Sequence, residues 1–526
     1  MALDAVIIGG GHNGLVCAFY LARAGHKVRI CESYHTVGGA AVTEEFAPGF
    51  RNSVASYTVS LLQPKVIADM ALERRGLRVV NRPIANFLPL SAQPGDYLLM
   101  GGGLERSQRE AAKFSRKDAA ALPAYFAALE QVADVLRALA LKIPPRTEGL
   151  WGLIDAALQA RVLKGLDLPG RREALALFTR SAREYLDCWF ESDAVKAVFG
   201  FDAVVGNYAS PDAPGSAYVL LHHVFGQANG VKGAWGHAIG GMGAITQAMA
   251  SACRDAGVEI GTQQPVAEVL IEGGAAVGVR LASGEEVRAR RVIANVGPAL
   301  LYRKLIARDA LPADFAHAMD RYATGSGTLR MNLALSGLPS FAALPGPGEH
   351  LSAGIILAPS LDYMDRAFDD AKRDGWSAKP IVEMLIPSTV DRSLVETPGT
   401  HVASLFCQHF APGLAWTAEQ EAAAVEAVLA TLERYAPGVR ALIVGQQVLT
   451  PKGLEHRFGL VDGDIFHGRM GLDQLWAARP VLGSGSYRAP IPGLWLCGAG
   501  AHPGGGVTGA PGHNCAAAVL RAGRSR

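Results

Sequence analysis

Charge is scarce in this 526-residue chain. Only 19% of its residues are charged and the net charge is +2, whereas a nucleic-acid binder needs a concentrated basic face that neutralises phosphates. We therefore expect no nucleic-acid partner. The chain is 49% hydrophobic and exceeds the roughly 250–300 residues at which single cores stop growing. This length predicts two or more packed units.

Closely spaced cysteine pairs are missing as well. The seven cysteines are far apart and none belongs to a C-x-x-C pair, which argues against a redox dithiol and a disulfide framework. Buried free thiols in a reducing compartment fit this pattern better. The histidines lack the ligand spacings of recognised metal sites, so we predict no metal. No Gly-x-Ser-x-Gly motif indicates a serine hydrolase.

Targeting and membrane-spanning segments are not indicated. The N-terminus has Asp4 and no basic residue before its first apolar run, unlike the basic start of a signal peptide. No run of 18 or more apolar residues is suited to crossing a bilayer. We expect a cytoplasmic protein, with peripheral membrane contact left open.

Glycine, by contrast, is abundant, and the first of its clusters follows the apolar run 5–8 directly. That run predicts a buried parallel strand, and a helical pattern begins right after the glycines. In this context Gly9 permits a tight turn, Gly11 lets the backbone approach a pyrophosphate, and Gly14 allows the helix to pack on the strand. Asn13 lies within the same turn. The motif predicts a dinucleotide site.

A carboxylate follows at the spacing that a ribose requires. The alternating segment 27–31 predicts a second strand, and Glu32 comes 18 residues after Gly14, close to the roughly 20 of ribose-binding acids. Glu32 would accept hydrogen bonds from the adenosine ribose and would repel a 2′-phosphate. FAD and NAD are therefore favoured over NADP.

The segment 33–39 extends this motif and ends in Gly38 and Gly39. The extended motif resembles the N-terminal signature of the FAD-dependent amine oxidase and phytoene desaturase superfamily. The resemblance implies that both glycines lie along the pyrophosphate and ribityl chain. It also implies that the backbone near Val266 contacts the adenine, and we assign Asn295, after the next predicted strand, to the same site.

The second glycine cluster, near the C-terminus, resembles the desaturase signature most closely. It includes Gly498, Gly500, Gly506 and Val507, and the resemblance implies that these residues face the flavin. We identify the chain as a member of the phytoene desaturase-like FAD oxidoreductases, within the carotenoid and retinoid oxidoreductase family. Cys497 and Cys515 lie near this cluster, and packing of a strand and a helix explains both of them. We therefore expect no covalent link between a thiol and the flavin, so FAD would be bound noncovalently.

The resemblance implies an α/β fold with a Rossmann-like (GR2-type) FAD-binding domain and an inserted mixed α+β substrate domain. The FAD-binding domain would comprise residues 1–75, 235–300 and 455–526, and the substrate domain residues 76–234 and 301–454. Within the latter, helical periodicity predicts an amphipathic helix over 119–141. A buried core face is the better explanation of that helix than a membrane-resting one.

The expected activity is that of an FAD-dependent desaturase or dehydrogenase. It would remove a hydride and a proton from an apolar substrate such as a polyisoprenoid, with quinone, oxygen or NAD(P) as electron acceptor. Two alternatives stay open, a flavin amine oxidase and a flavin-binding interaction or regulatory protein with little catalysis. His502 is the one ionisable side chain in the C-terminal signature. It is a candidate for proton placement or for bracing the glycine turn.

Overall fold

The computed structural model describes residues 3–145 and 149–524. Its strands are β1 (Ala5–Ile8), β2 (Val28–Cys31), β3 (Thr43–Ala47), β4 (Phe50–Ser53), β5 (Val79–Asn81), β6 (Asn86–Pro89), β7 (Tyr97–Met100), β8 (Gln227–Ala228), β9 (Val231–Lys232), β10 (Gly236–Ala238), β11 (Glu259–Gly261), β12 (Val266–Glu272), β13 (Ala275–Leu281), β14 (Glu286–Arg288), β15 (Val292–Ala294), β16 (Thr328–Leu335), β17 (Gly354–Leu357), β18 (Trp376–Leu385), β19 (His401–Phe410), β20 (Ile443–Leu449) and β21 (Leu494–Leu496).

Helices separate these strands along the chain. They are α1 (His12–Arg23), α2 (Pro64–Asp69), α3 (Leu104–Ala111), α4 (Arg116–Ala140), α5 (Gly149–Gln159), α6 (Leu168–Thr179), α7 (Ala182–Asp187), α8 (Asp193–Val204), α9 (Ala217–Val224), α10 (Met242–Asp255), α11 (Pro298–Leu300), α12 (Ala313–Asp320), α13 (Leu361–Asp374), α14 (Ala418–Tyr435), α15 (Val439–Leu442), α16 (Pro451–Phe458) and α17 (Ala510–Arg524).

A five-stranded parallel sheet joins distant parts of the chain. Its order is β11-β2-β1-β15-β21, and every neighbouring pair is parallel. The all-apolar β1 is fully buried at its centre, as expected for a strand covered on both faces. Both the Rossmann-like sheet and the α/β fold class are as predicted.

The antiparallel meander that follows α10 also matches the sequence pattern. β12, β13 and β14 pair in that order, and the β12–β13 turn contains Gly273 and Gly274 at φ +55° and +79°. Only glycine adopts such angles without steric cost. Alternation of apolar residues together with these glycines was enough to locate the hairpin.

A seven-stranded sheet forms the second layer, in the order β20-β16-β19-β18-β17-β6-β7. All pairs are antiparallel except β17 with β6. Its strands lie within the predicted substrate segments 76–234 and 301–454, and those of the parallel sheet lie within the three predicted FAD-binding segments. The exact domain boundaries stay predictions, and residues 1–2, 146–148 and 525–526 fall outside the described chain.

The predicted amphipathic helix over 119–141 is α4, which the Ser115 side chain caps by accepting a hydrogen bond from the Asp118 backbone. Leu122, Tyr125 and Leu129 are buried in a core shared with neighbouring helices, whereas Phe126 is 39% exposed. Among the described helices, α4 alone is long and apolar enough to span a bilayer, by length and composition only. This is weak evidence, because core helices meet the same criterion.

A buried hydrogen bond between a histidine and a carboxylate joins β10 to the loop before β19. The Asp391 carboxylate, 2% exposed, lies 2.9 Å from His237 Nε2 and accepts hydrogen bonds from the backbone of Gly240 at 2.7 Å and Ser393 at 3.0 Å. These donors outweigh burial and hold the pKa of Asp391 at about 2, below its ordinary 3.8. The pair positions the glycine turn that precedes α10.

We expect Asp391→Asn to lower the free energy of unfolding by about 2 kcal/mol at neutral pH. Because the folded-state pKa is depressed, the stabilisation is complete above pH 3.8 and disappears as the pH falls toward 2. Denaturant unfolding of wild type and variant across this range measures the difference. Asp374→Asn, at an exposed ion pair, serves as control and should change little. A difference that persists unchanged at pH 2 would contradict the assignment.

Candidate cofactor and substrate cleft

One large cleft lies between the carboxyl ends of the parallel strands and the seven-stranded sheet. It encloses about 1690 Å³ of empty space, open solvent at its mouth included. The segments that contribute most of its wall are 9–13, 32–41, 55–61, 295–297, 457–467 and 506–507.

The first glycine turn has the geometry of an anion cradle. Gly9 has φ +91°, and α1 begins at His12 without a side-chain cap and without an acidic residue in its first turn. Its free backbone N–H groups therefore face the cleft with the positive end of the helix dipole. A Cβ atom on Gly11 would come within 2.8 Å of Asn295 Nδ2. Glycine at this position therefore leaves room for the Asn295 side chain, and its approach to a pyrophosphate stays a prediction.

Glu32 lies at the end of β2, as predicted, and borders the cleft. Its two carboxylate oxygens accept hydrogen bonds from the backbone of Gly10 at 2.6 Å and of Tyr34 at 2.8 Å. These bonds fix the carboxylate and leave further lone pairs for hydroxyl donors. The arrangement is suited to holding a ribose.

The other predicted residues divide into a lining set and a supporting set. The supporting residues are Gly14, Gly498 and Gly500, and none of them has room for a side chain. A Cβ atom on Gly14 would lie 2.4 Å from the Gly9 carbonyl oxygen, and a Cβ atom on Gly498 would lie 2.7 Å from the Asn295 carbonyl oxygen. A Cβ atom on Gly500 would lie 2.1 Å from Pro298 Cδ. They pack the elements that bear the site. The lining set consists of Gly9, Gly11, Asn13, Glu32, Gly38, Gly39, Asn295, Gly506 and Val507.

Buried polar atoms without partners also collect along this cleft. Among the described residues they include His12 Nε2, Asn13 Oδ1, Ser60 Oγ and His467 Nδ1, all on cleft-lining side chains. An unsatisfied buried polar group costs about 1–3 kcal/mol, so such a concentration indicates a polar ligand. A flavin dinucleotide, with its phosphates, hydroxyls and ring carbonyls, fits these groups and the glycine cradle.

Two histidines beside the cradle are neutral at physiological pH. Burial lowers the pKa of His12 and of His467 to about 4, since charging an imidazole out of water is unfavourable. Each ring can therefore donate one hydrogen bond and accept another. Among the described residues, no group of three His, Cys, Asp or Glu side chains is arranged to hold a metal ion.

Comparison with known proteins agrees with this geometry. The model of the family described as flavin containing amine oxidoreductase matches residues 14–329. The chain belongs to this family. It is thus a flavin-containing oxidoreductase of the amine oxidase and desaturase superfamily, with a flavin as its cofactor.

Individual relatives of this flavin oxidoreductase match over nearly its whole length. Pyridine nucleotide-disulfide oxidoreductase domain-containing protein 2 of Rattus norvegicus is 40% identical, over 98% of this chain and 93% of its own. A limonene dehydrogenase subunit of Castellaniella defragrans is 25% identical, over 98% of this chain and 94% of its own. The crystal structure of an oxidoreductase from Methanosarcina mazei has the same fold, with a TM-score of 0.60 and 17% identity over 99% of this chain and 100% of that one.

Besides the supporting glycines, two further predicted positions, Val266 and His502, lie off the cleft wall of this flavin oxidoreductase. Val266 begins β12, two residues after Gln264, whose backbone donates to the Glu32 carbonyl at 2.7 Å. Its adenine contact stays a prediction. His502 is buried, and its Nε2 lies 3.1 Å from the Leu139 carbonyl oxygen while its ring packs on Trp476. These contacts favour the bracing role for His502 over proton placement.

Several lining residues of the flavin oxidoreductase were not found by sequence reasoning. His12 stands inside the first motif, so its position was available, but nothing there distinguished it from a helix residue. Arg457 donates to the Tyr34 hydroxyl at 3.2 Å from 423 residues away, and no local pattern indicates such a contact. The same holds for the cleft-lining residues Tyr57, His222, His223, Trp235, Arg330, Phe406 and Phe466.

We expect Glu32→Gln to weaken flavin binding by roughly ten- to a hundredfold, the value of a charge-assisted hydrogen bond. The amide keeps the shape, but its NH₂ group must face a backbone N–H that now donates to the carboxylate. Titration of the flavin-free protein with FAD measures the change. Glu268→Gln, at a half-buried position on β12 that does not line the cleft, is the control. Equal affinities of Glu32→Gln and wild type would refute the ribose role.

Proposed function

We propose that this flavin oxidoreductase is a phytoene desaturase-like dehydrogenase that holds FAD noncovalently and acts on an apolar substrate such as a polyisoprenoid. The observation that carries the proposal is that one continuous cleft joins the glycine cradle to an apolar compartment. Leu61, Val205, Ile465 and Phe466 line that compartment. FAD, when bound, supplies the hydride acceptor.

The apolar compartment lies directly against the C-terminal glycine cluster. A Cβ on Gly506 would lie 2.5 Å from Leu61 Cδ1, and one on Gly505 would lie 2.1 Å from Phe466 Cδ1. The residues assigned to the flavin therefore contact the apolar wall without an intervening polar layer. Exclusion of water at such a boundary is what hydride transfer requires.

The histidines of this compartment carry no charge that would oppose an apolar ligand. His222 is fully buried against Phe225 and Phe466. Burial lowers its pKa well below the ordinary 6.5, and the neighbouring His223 and Arg479 add to the effect. Burial likewise lowers the pKa of His223 to about 4. Both rings are neutral and can accept a proton that leaves the substrate.

In the proposed reaction a substrate carbon gives up a hydride and its neighbour a proton, which leaves a carbon–carbon double bond. A quinone, oxygen or NAD(P) then takes the two electrons. The name of the limonene dehydrogenase relative, which matches nearly the whole chain, supports dehydrogenation of an apolar isoprenoid. Cys497 and Cys515 are buried and are not among the cleft-lining residues. Neither thiol is therefore placed to bond covalently to a flavin in the cleft, which supports noncovalent FAD.

Anaerobic titration of the purified flavoprotein tests the proposal. We expect carotenoid precursors or retinoids to bleach the visible flavin absorption, and amines to leave it unchanged. Free FAD mixed with the same compounds is the control. Bleaching by amines, with hydrogen peroxide formed in air, would identify an amine oxidase instead. Bleaching by none of the compounds, together with a stable protein partner in pull-downs, would identify a binding or regulatory protein.

A further inference from the structure

Charged side chains stand on the floor of the cleft, on the seven-stranded sheet. Arg330 of β16 lies directly opposite Phe406 of β19, and Phe406 lies opposite Glu383 of β18. Directly opposed residues share one face of a sheet, so these three form a row across three strands. Neighbouring residues such as Met331 and Cys407 point to the other face and belong to its apolar core.

The guanidinium of Arg330 is held in place but not paired with an acid. Its carbon lies 4.5 Å from the centre of the Tyr57 ring and 5.4 Å from that of Phe406. Nη1 donates to the Leu405 carbonyl and Nη2 to Ser404 Oγ, both at 2.6 Å. Its Nε–H, buried in the cleft wall, has no partner among the described residues.

A second guanidinium lies close by. Arg82 donates to Thr58 Oγ1 at 2.8 Å, next to Tyr57, whose hydroxyl donates to Glu383. Neither Arg82 nor Arg330 forms a salt bridge with any residue that the structure describes. We call Tyr57, Arg82, Asp202, Arg330 and Glu383 the Arg330 cluster.

The charges of the Arg330 cluster do not balance. Burial and the nearby Glu383 raise the pKa of Asp202 to about 8, so Asp202 is mostly protonated at neutral pH. Two guanidiniums then face at most the single carboxylate of Glu383, whose pKa burial also raises, and the cluster is net positive. Arg330 is only 1% exposed and Glu383 only 8%. Burying an ion costs several kcal/mol unless an opposite charge compensates it, so the cluster is suited to receive an anion.

The backbone distance from Tyr57, which contacts Arg330, to Leu61, which lies beside Gly506, is limited by the chain itself. Residues 57–61 all line the cleft, with Tyr57 at the cluster and Leu61 against Gly506. Four residue steps span at most about 14 Å. A substrate whose anionic end contacts Arg330 can thus place an apolar carbon beside the flavin-facing segment.

We infer that the Arg330 cluster binds the carboxylate of an amphipathic substrate, whose apolar body lies along residues 57–61 toward Gly506. This inference rests on the proposed function and adds the substrate class to it, an apolar acid in place of a pure hydrocarbon. Arg330 is the specificity-determining residue, because its side chain lines the cleft and its guanidinium has no acidic partner among the described residues.

Calorimetric titration of the flavin-loaded protein with three probes of one carbon skeleton tests the inference. The probes are farnesoic acid, farnesol and methyl farnesoate. We expect the acid to bind at least about tenfold more tightly than the alcohol and the ester, as one charge-assisted contact provides. In Arg330→Met the ratio of the affinity for the acid to the affinity for the ester should fall to about one, while Arg330→Lys should keep part of the preference for the acid. Arg290→Met, at an exposed arginine, should behave as wild type.

Equal binding of acid and ester by the wild type would overturn the inference, as would an undiminished preference in Arg330→Met. If Arg330→Met fails to fold, the preference for the acid over the ester, measured in the wild type and in Arg82→Gln, tests the inference instead. Flavin bleaching, recorded on the same samples, separates the two proposals. Bleaching by apolar compounds without preference for the acid refutes only the carboxylate site, and tight acid binding without any bleaching refutes only the dehydrogenase.

Discussion

Gly14→Val is expected to give a protein without bound flavin. Even a Cβ at this position would lie 2.4 Å from the Gly9 carbonyl oxygen, and that oxygen also accepts a hydrogen bond from Asn295. Backbone atoms cannot rotate away as a flexible side chain does, so α1 must shift off the sheet. The shift displaces the N–H groups that face the cleft, and we expect flavin affinity to fall by at least about a hundredfold, or roughly 3 kcal/mol.

The visible flavin absorption per mole of purified protein measures this loss, and titration of the flavin-free protein with FAD gives the change in affinity. Gly413→Ala is the control, because no atom lies within 4 Å of a Cβ added there. It should retain the full flavin content. If Gly14→Val bound flavin as wild type does, the close packing of α1 would not be what positions the cradle.

Arg479→Met is expected to destabilise the protein more than any surface substitution. Arg479 is 0% exposed and donates six hydrogen bonds to backbone carbonyls of the segment 466–474 and of Ala499. Methionine fills part of the volume but donates none of these bonds. Buried carbonyls left without donors should lower the free energy of unfolding by roughly 3–5 kcal/mol. Flavin should be released with it, since Phe466 and Ala499 line the cleft.

Denaturant unfolding followed by both tryptophan and flavin fluorescence measures the two effects. Arg303→Met provides a matched control, because Arg303 also donates only to backbone carbonyls, those of Met319 and Tyr322, but near the surface. Near the surface, water can donate to these carbonyls in place of Arg303. The loss in the free energy of unfolding should therefore stay below about 1.5 kcal/mol. If Arg479→Met and Arg303→Met lowered the free energy of unfolding equally, burial of the Arg479 hydrogen bonds would contribute nothing to stability.

Much of the cofactor half of this protein was predictable from residues close together in the chain. β1, the turn at Gly9, α1 and Glu32 form one local unit in which each residue type has a separate physical requirement. The hairpin at Gly273 and Gly274 was predictable for the same reason. Phe126 stands at helical spacing from the buried Leu122 and Leu129, yet it is 39% exposed, because helical periodicity indicates the apolar face of a helix but not how much of that face its neighbours cover.

The substrate half was much less accessible to sequence reasoning. Arg330, Phe406 and Glu383 occupy one row of the sheet although up to 76 residues separate them. In the sequence Arg330 and Glu383 resemble ordinary exceptions to the hydrophobic pattern of their strands, and Phe406 resembles any other core residue. Only the register of three strands shows that they share a face, and only the fold shows that this face is the cleft floor.

By itself, then, the sequence determined the family, the flavin cradle and the Rossmann-like sheet, because glycine conformation and apolar periodicity act over a few residues. Tertiary structure alone decided that His502 contacts the Leu139 carbonyl, that Arg479 donates to the carbonyls of the cleft loops, and that the guanidiniums of Arg82 and Arg330 lie near Tyr57. These features depend on strand register and on the local dielectric, which arise when distant segments pack together and exclude water.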